Sequence, residues 1–396
     1  MTMYYMYKYK VIYCIDYYEI TGGASIALIE TIKSNPKLEK YIIACRNCTL
    51  PEHFVFKKSG KEIIEEYLSG NYDFIHWFKS AGFKLFRELV REAHRRHLHP
   101  NIITTVCQRP SFKLHLLSPI EIKHSLALVF IDKAAYNDSL YAFIPSELKR
   151  MIYFGTSKYT LEILNSVLEE ETSDKKKLEI IYGRGSTLNK CPKDMFKIFD
   201  GINSPKHFVI VGNGDDRWIK KEARKRDDYT VEIIQGLPYK KWLEVLKNFD
   251  VFLYYLPLSA YSSIDGTLGD AMLLKKPVVY YGPDAPKERL INGYNALVAS
   301  SKEDIIKYCN LLLSDEQLRT TLGEHARETT LRDFPMCKTI DSYNQLYRDL
   351  QTKQNDADTP RIRIPLDFYF YYGLITCKNF ITKCIRKTIN ICLKSR

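Results

Sequence analysis

Short apolar runs alternate with helix-spaced apolar positions along most of the chain, the pattern of a parallel sheet covered by helices on both faces. Lys10–Ile15 is an apolar run that stops at Asp16. Gly22 and Gly23 then open Ala24–Lys33, where Ile26, Ile29 and Ile32 recur at helical spacing. Tyr41–Ala44, Phe74–Trp77, Ile102–Val106 and Leu126–Ile131 are further predicted strands, separated by helical stretches at Lys61–Leu68 and Gly82–His97. The alternation restarts after the charged stretch Leu168–Lys177, which is read as following the domain junction or forming its exposed edge. Leu178–Tyr182, His207–Val211, Thr230–Ile234, Val251–Tyr255 and Pro277–Tyr280 are the second set of predicted strands. Helices are expected near Pro192–Phe199, Arg217–Lys225, Tyr239–Leu246 and Thr267–Leu274, and again at Lys302–Leu313, Glu316–Leu331 and Thr339–Leu350.

The repeat predicts an α/β chain of two Rossmann-like domains facing each other across a cleft. The expected boundaries are 1–165 for an acceptor domain and 166–338 for a nucleotide-sugar domain. A terminal helix at 339–352 would cross back, and a polar linker at 353–365 would lead to a tail at 366–396. A length of 396 residues suits two such cores, and 45% apolar residues supply them.

The formal charge of +12 favours anionic partners. The cations are scattered rather than gathered in one aromatic-interleaved stripe, so nucleic acid is not the expected partner. The ten cysteines are irregularly spaced. With no signal-peptide pattern at the start, they are read as reduced thiols of a cytoplasmic enzyme. Cys45 and Cys48 form a lone CxxC without a second pair, too little for a zinc site, and no metal or cofactor is expected. No apolar run reaches the ~18 residues that a transmembrane helix needs.

Three glycine-containing turns follow predicted strands. Thr21-Gly22-Gly23-Ala24 opens a helix, and is either an anion-binding turn or an unliganded tight turn. Val211-Gly212-Asn213-Gly214 begins like a dinucleotide fingerprint, but Arg217 stands where the third glycine belongs, which disfavours a nicotinamide dehydrogenase. The third turn is Asp265-Gly266-Thr267-Leu268-Gly269-Asp270. Its small residues at a helix start place N–H donors where a diphosphate could sit, and Asp270 could accept from a ribose diol. The alternative is a capped helix with an exposed aspartate. Arg184 follows a predicted strand and Lys190 precedes the next helix, so both fall where a doubly wound sheet binds ligands. Cations there can neutralise the charge that builds on a departing nucleoside diphosphate.

From Leu178 to about Leu350 these pieces resemble, in order, the C-terminal half of the group 1 glycosyltransferases, called family 4, which have the GT-B fold. The matching segments are Gly183-Arg184, Lys190-Cys191-Pro192, Ile210–Gly214, Gln235-Gly236 and Asp250–Leu253. They continue with Asp270-Ala271-Met272 through Pro277–Val279, and with Glu288–Ala296. The N-terminal half matches through Gly22-Gly23 and Asp73-Phe74-Ile75-His76. The resemblance implies a metal-independent, retaining transferase that moves a sugar from a nucleoside-diphosphate sugar to a glycan or lipid-linked glycan, in surface polysaccharide or glycoconjugate synthesis. It implies that Arg184 and Lys190 stabilise the leaving diphosphate. Gly266, Thr267, Leu268 and Gly269 would donate backbone N–H groups beside Asp265, Asp270 would bind ribose, and Gly22 and Gly23 would approach the donor. The chain departs from the pattern at Ser262, where the family has an acid, and at Cys107-Gln108-Arg109, where many relatives have a histidine. His76 and His115 are the histidines left to supply an imidazole. These departures keep open a catalytically degenerate sugar-nucleotide or glycan-binding protein, and more weakly a sugar-nucleotide epimerase.

Within the tail, Leu374, Cys377, Ile381, Ile385, Ile389 and Cys392 recur at helical spacing, with Lys378, Lys383, Arg386, Lys387, Lys394 and Arg396 between them and no acid after Asp367. An apolar face with a cationic flank predicts an amphipathic helix on an anionic membrane surface, or one packed on its own enzyme. The expected location is cytoplasmic, peripheral to the membrane.

Overall fold

A computed structural model describes residues 8–18, 23–48, 55–79, 83–107, 116–170, 179–182, 191–192, 194–203, 207–211, 216–228, 230–258, 260, 266–353 and 362–374. The chain forms two compact units, one from residues 1–153 with 340–396 and the other from 154–339.

Unit 1 runs β1 (Tyr9–Tyr18), α1 (Gly23–Ser34), β2 (Leu38–Cys48), β3 (Val55–Lys57), α2 (Gly60–Ser69), β4 (Phe74–Lys79), α3 (Lys84–Arg95), β5 (Ile102–Val106), α4 (Pro119–His124), β6 (Ala127–Phe130), α5 (Lys133–Tyr136) and β7 (Lys149–Met151). Its seven-stranded sheet has the order β3-β2-β1-β4-β5-β6-β7 and every pairing is parallel. The inner strands β4 and β5 are buried along their whole length, which is why they read as continuous apolar runs rather than alternating ones. Helices α2 and α3 approach so closely that a Cβ on Gly60 would lie 2.3 Å from the backbone of Glu88 and Leu89.

Unit 2 runs α6 (Lys158–Glu169), β8 (Glu179–Tyr182), α7 (Met195–Asp200), β9 (His207–Val211), α8 (Arg217–Ala223), β10 (Thr230–Ile234), α9 (Tyr239–Lys247), β11 (Val251–Tyr255), α10 (Gly266–Leu273), β12 (Val278–Tyr281), α11 (Asp284–Lys287), β13 (Leu297–Val298), α12 (Lys302–Ser314) and α13 (Glu316–Asp333). Its six-stranded parallel sheet has the order β10-β9-β8-β11-β12-β13, the doubly wound arrangement of a dinucleotide-type fold. Apolar side chains fill both faces. Phe199, Phe208 and Leu253 are buried on one side, and Trp242, Phe252 and Met272 on the other. Unit 2 starts at Phe154, so α6 and the charged stretch after it belong to unit 2.

Helix α14 (Met336–Lys353) carries the chain from unit 2 into unit 1. Its Tyr343 and Tyr347 are fully buried there; the Tyr347 ring stacks on Phe74 at 5.2 Å, and Tyr9 donates to the Asn344 carbonyl. A last described helix, α15 (366–374), also belongs to unit 1. Ile364 and Phe368 are buried with Leu116, Ile122 and Tyr141, so the start of the tail is docked on unit 1 rather than detached by the polar linker. The residues from 375 onward lie outside the described ones. Among the described residues no helix is long and apolar enough to cross a membrane.

Candidate functional site

In both units the strand order reverses beside the first strand, between β1 and β4 in unit 1 and between β8 and β11 in unit 2. At such a point the connections leave in opposite directions and open a crevice at the carboxyl ends of the strands. In unit 2, β8 and β11 are paired directly, with Ile180 opposite Val251 and Ile181 opposite Phe252. The chain leaving β8 carries Gly183, Arg184 and Lys190, and the chain leaving β11 carries Ser262 and Asp265 before entering α10. Topology therefore sends both segments off the same edge of the sheet. Arg184, Lys190 and Asp265 themselves lie outside the described residues.

Helix α10 is described from its first residue. Gly266 is exposed and a Cβ there would meet nothing within 4 Å, whereas the Leu268 side chain is fully buried in the core. Gly266, Leu268 and Gly269 can offer a ligand only backbone groups, while Thr267 also carries a hydroxyl whose Oγ1 is buried with no hydrogen-bond partner among the described residues. A Cβ on Gly269 would sit 3.2 Å from Arg289 Nη1. Arg289 is buried, donates through Nη2 to the Phe154 carbonyl at 2.8 Å, and lies 4.4 Å over the Phe334 ring.

Asp270 is only 8% exposed. Its Oδ1 accepts from the Tyr239 hydroxyl at 2.8 Å and its Oδ2 from Trp242 Nε1 at 2.9 Å. Burial pushes its carboxyl up to about 6, against the opposing pull of those two hydrogen bonds and of the Arg289 charge. Each oxygen keeps a second lone pair, so a sugar hydroxyl can still be accepted, but Asp270 is a buried, already bonded carboxylate and not the exposed one of a simple helix start. Tyr239 and Trp242 stand three apart on α9 and so share a face. Neither was singled out by sequence. The i, i+3 spacing was visible, but nothing in the sequence aims that face at Asp270.

At the equivalent edge of unit 1, Gly23 is the exposed first residue of α1 and a Cβ there would also meet nothing within 4 Å; Gly22 lies outside the described residues. Asp16, Trp77 and Lys79 near this edge are internally engaged. Helix α3 has no side-chain cap of its own, and buried Asp16 from β1 supplies one, accepting from Lys84 N at 3.0 Å and Leu85 N at 2.9 Å. Lys79, at the end of β4, is buried and donates to Glu121 at 3.2 Å, while Trp77 Nε1 donates to the other oxygen of the same carboxylate.

His76 does not reach this edge as a free imidazole. It is fully buried on β4, with Nδ1 2.7 Å from the Tyr347 hydroxyl and Nε2 2.8 Å from Thr105 Oγ1. Burial holds its ring down at about 3, so it is a neutral core residue. His115, Gln108 and Arg109 lie outside the described residues. Cys45 is buried and Cys48 half-buried, both on β2. Among the described residues no three His, Cys, Asp or Glu side chains group as metal ligands would.

Residues 167–329, which hold the unit 2 edge just described, match the family model described as glycosyl transferases group 1. Residues 167–329 form a group 1 glycosyl transferase domain. Over 234 residues the chain is 22% identical to an uncharacterized glycosyltransferase of Methanocaldococcus jannaschii. That alignment covers 56% of this chain and 58% of the relative, so the chain matches little more than half the relative's length. Among solved structures, Anabaena HepE in complex with UDP aligns at a TM-score of 0.62 and 14% identity, covering 87% of this chain and 100% of that one. Sucrose-phosphate synthase from Thermosynechococcus elongatus aligns at a TM-score of 0.65 and 14% identity, covering 87% and 99%. At such identities these likenesses speak for the fold, which is GT-B: the group 1 domain and an N-terminal Rossmann-like unit, each with its own parallel sheet.

Proposed function

We propose that the chain is a glycosyltransferase that takes a sugar from a nucleoside-diphosphate sugar and passes it to a glycan or lipid-linked glycan, with retention and without a metal ion. The observation that supports this most directly is the unit 2 switch point. There the segment bearing Arg184 and Lys190 and the segment leading into α10 leave two paired strands at one edge. In this reading Arg184 and Lys190 neutralise the diphosphate as it departs, an electrostatic task that leaves no proton to move. The N–H groups at the start of α10 add donors to the same phosphates. Asp270 receives a ribose hydroxyl on a lone pair that Tyr239 and Trp242 leave open, and its orientation is set by those two side chains. HepE is described bound to UDP and, in another structure, to UDP-glucose, which supports a uridine donor as the first to test.

A thermal-shift series with UDP, GDP, ADP and CMP and their sugar conjugates tests the reading. A ligand at about 100 times its dissociation constant should stabilise the native state by ~2.7 kcal/mol, a shift of several degrees. One nucleoside diphosphate should produce the shift, and Arg184→Ala should abolish both it and transfer. No shift with any nucleotide, from folded protein, would leave the degenerate glycan-binding alternative in its place.

A further inference from the structure

Helix α15 has two apolar faces, and among the described residues only one is packed against unit 1. Phe368 is buried, with its ring 4.9 Å from that of Phe143, and Tyr372 meets Phe83 at 6.4 Å. On the opposite side Leu366 is 85% exposed, Phe370 71% and Leu374 53%. Residues four apart lie on one side of a helix, so these three form a single apolar stripe in water. Single exposed apolar side chains are ordinary on a protein surface. An aligned set on a helix that is itself anchored to the core by its other face is a contact surface.

The sequence that continues from this stripe identifies the occupant. After Leu374 come Lys378, Lys383, Arg386, Lys387, Lys394 and Arg396, with no Asp or Glu. Exposed Arg363 precedes the helix, and Lys123 of α4 lies 5.6 Å from the Tyr369 ring. Asp367 is the one acid of α15. A second copy of this chain would bring the same cations against themselves, and the chain as a whole carries +12. A surface that accepts Leu and Phe side chains and carries negative charge meets both demands, and an anionic bilayer is such a surface. We propose that Leu366, Phe370 and Leu374 of α15, with the cations that follow them, seat unit 1 on an anionic lipid surface. The buried Ile364 and Phe368 make the contact rigid, so membrane binding fixes the orientation of unit 1.

Sedimentation of the full chain with phosphatidylcholine vesicles, with and without phosphatidylglycerol, tests this. The wild type should partition to the phosphatidylglycerol vesicles, and less strongly as salt rises. The triple variant Leu366→Ser, Phe370→Ser, Leu374→Ser should lower that partition on the order of 100-fold, from three apolar side chains no longer buried in lipid. Its melting temperature should stay within about 2 °C of wild type, because none of the three packs in the core. Lys383→Ser with Arg386→Ser and Lys387→Ser should weaken binding and flatten its salt dependence. Partition of the triple variant within about twofold of wild type would overturn the proposal. So would wild type that binds neither vesicle, or a dimer in sedimentation velocity that the triple variant converts to monomer, which would give the stripe to a second copy.

Discussion

Asn at position 270 keeps the size and one acceptor of the native side chain and removes its charge. The Asn oxygen can accept from Trp242 Nε1, which only donates, while its amide faces the Tyr239 hydroxyl, which can turn to accept. Geometry is therefore largely preserved, and what changes is titration. In the unfolded chain Asp270 loses its proton around the ordinary 3.8; in the folded chain burial pushes it up to about 6. Between those values the folded state holds a proton that the unfolded state has lost, so stability falls as pH rises through this window and levels off above it. The full difference is worth about 3 kcal/mol. Between about pH 4.5 and about pH 7.5 roughly 2 kcal/mol of it is lost, since part has gone by pH 4.5. The unfolding free energy of Asp270→Asn, relative to wild type, should accordingly rise by about 2 kcal/mol across that range. Urea titrations followed by tryptophan fluorescence measure it; Trp242 lies against the site, and both proteins carry every other titrating group in common, so the background cancels in the difference. A difference that stays flat to within ~0.5 kcal/mol would refute the buried, ionised carboxylate and the account of Asp270 built on it.

Three further outcomes follow from local packing. Gly23→Ala and Gly266→Ala meet no atom within 4 Å and should leave stability unchanged or raise it by ~0.5 kcal/mol, yet weaken the nucleotide-dependent thermal shift where backbone approaches the donor; Gly60→Ala drives a Cβ into Glu88 and Leu89 and should cost about 2–3 kcal/mol in chemical denaturation. Glu121→Ala removes the carboxylate to which buried Lys79 and Trp77 both donate, and should destabilise unit 1 by about 3–5 kcal/mol in the same assay.

The central strands are legible because burial on both faces leaves continuous apolar runs, and β5, β9 and β11 begin and end where the sequence places them; the edge strand β10 does so too, on its β-branched residues, although none of it is buried. The short strands β3, β7 and β13 were not, since two or three residues carry no period and their pairing is set by the neighbouring strand. Helix α4 was missed although Ser118 and Glu121 form a capping box, because six residues are too few to show helical spacing. At the candidate site, the motif order marks the segments proposed to hold the donor. That β8 pairs with β11 and brings two of them to one edge is a matter of strand order, which pattern does not encode. Tyr239 and Trp242 illustrate the remainder: an aromatic pair on an amphipathic helix reads as core, and only the packing of α9 shows that their polar atoms meet a carboxylate. For the tail the sequence showed the amphipathic periodicity but not that Phe368 enters the core.

Unit 1 is closed by residues from both ends of the chain: Tyr343 and Tyr347 of α14 fill the space beside Tyr9, Phe74 and His76. On the ribosome this imposes an order of events opposite to the usual one. The first 153 residues emerge without the aromatic side chains that complete their interior, and must wait while residues 154–339 are made. At ~5–20 residues per second that wait is about 10–40 s, during which the group 1 domain can finish folding and the N-terminal segment cannot. A product truncated before α14 would lack the Tyr343 and Tyr347 rings that pack on Tyr9, Phe74 and His76.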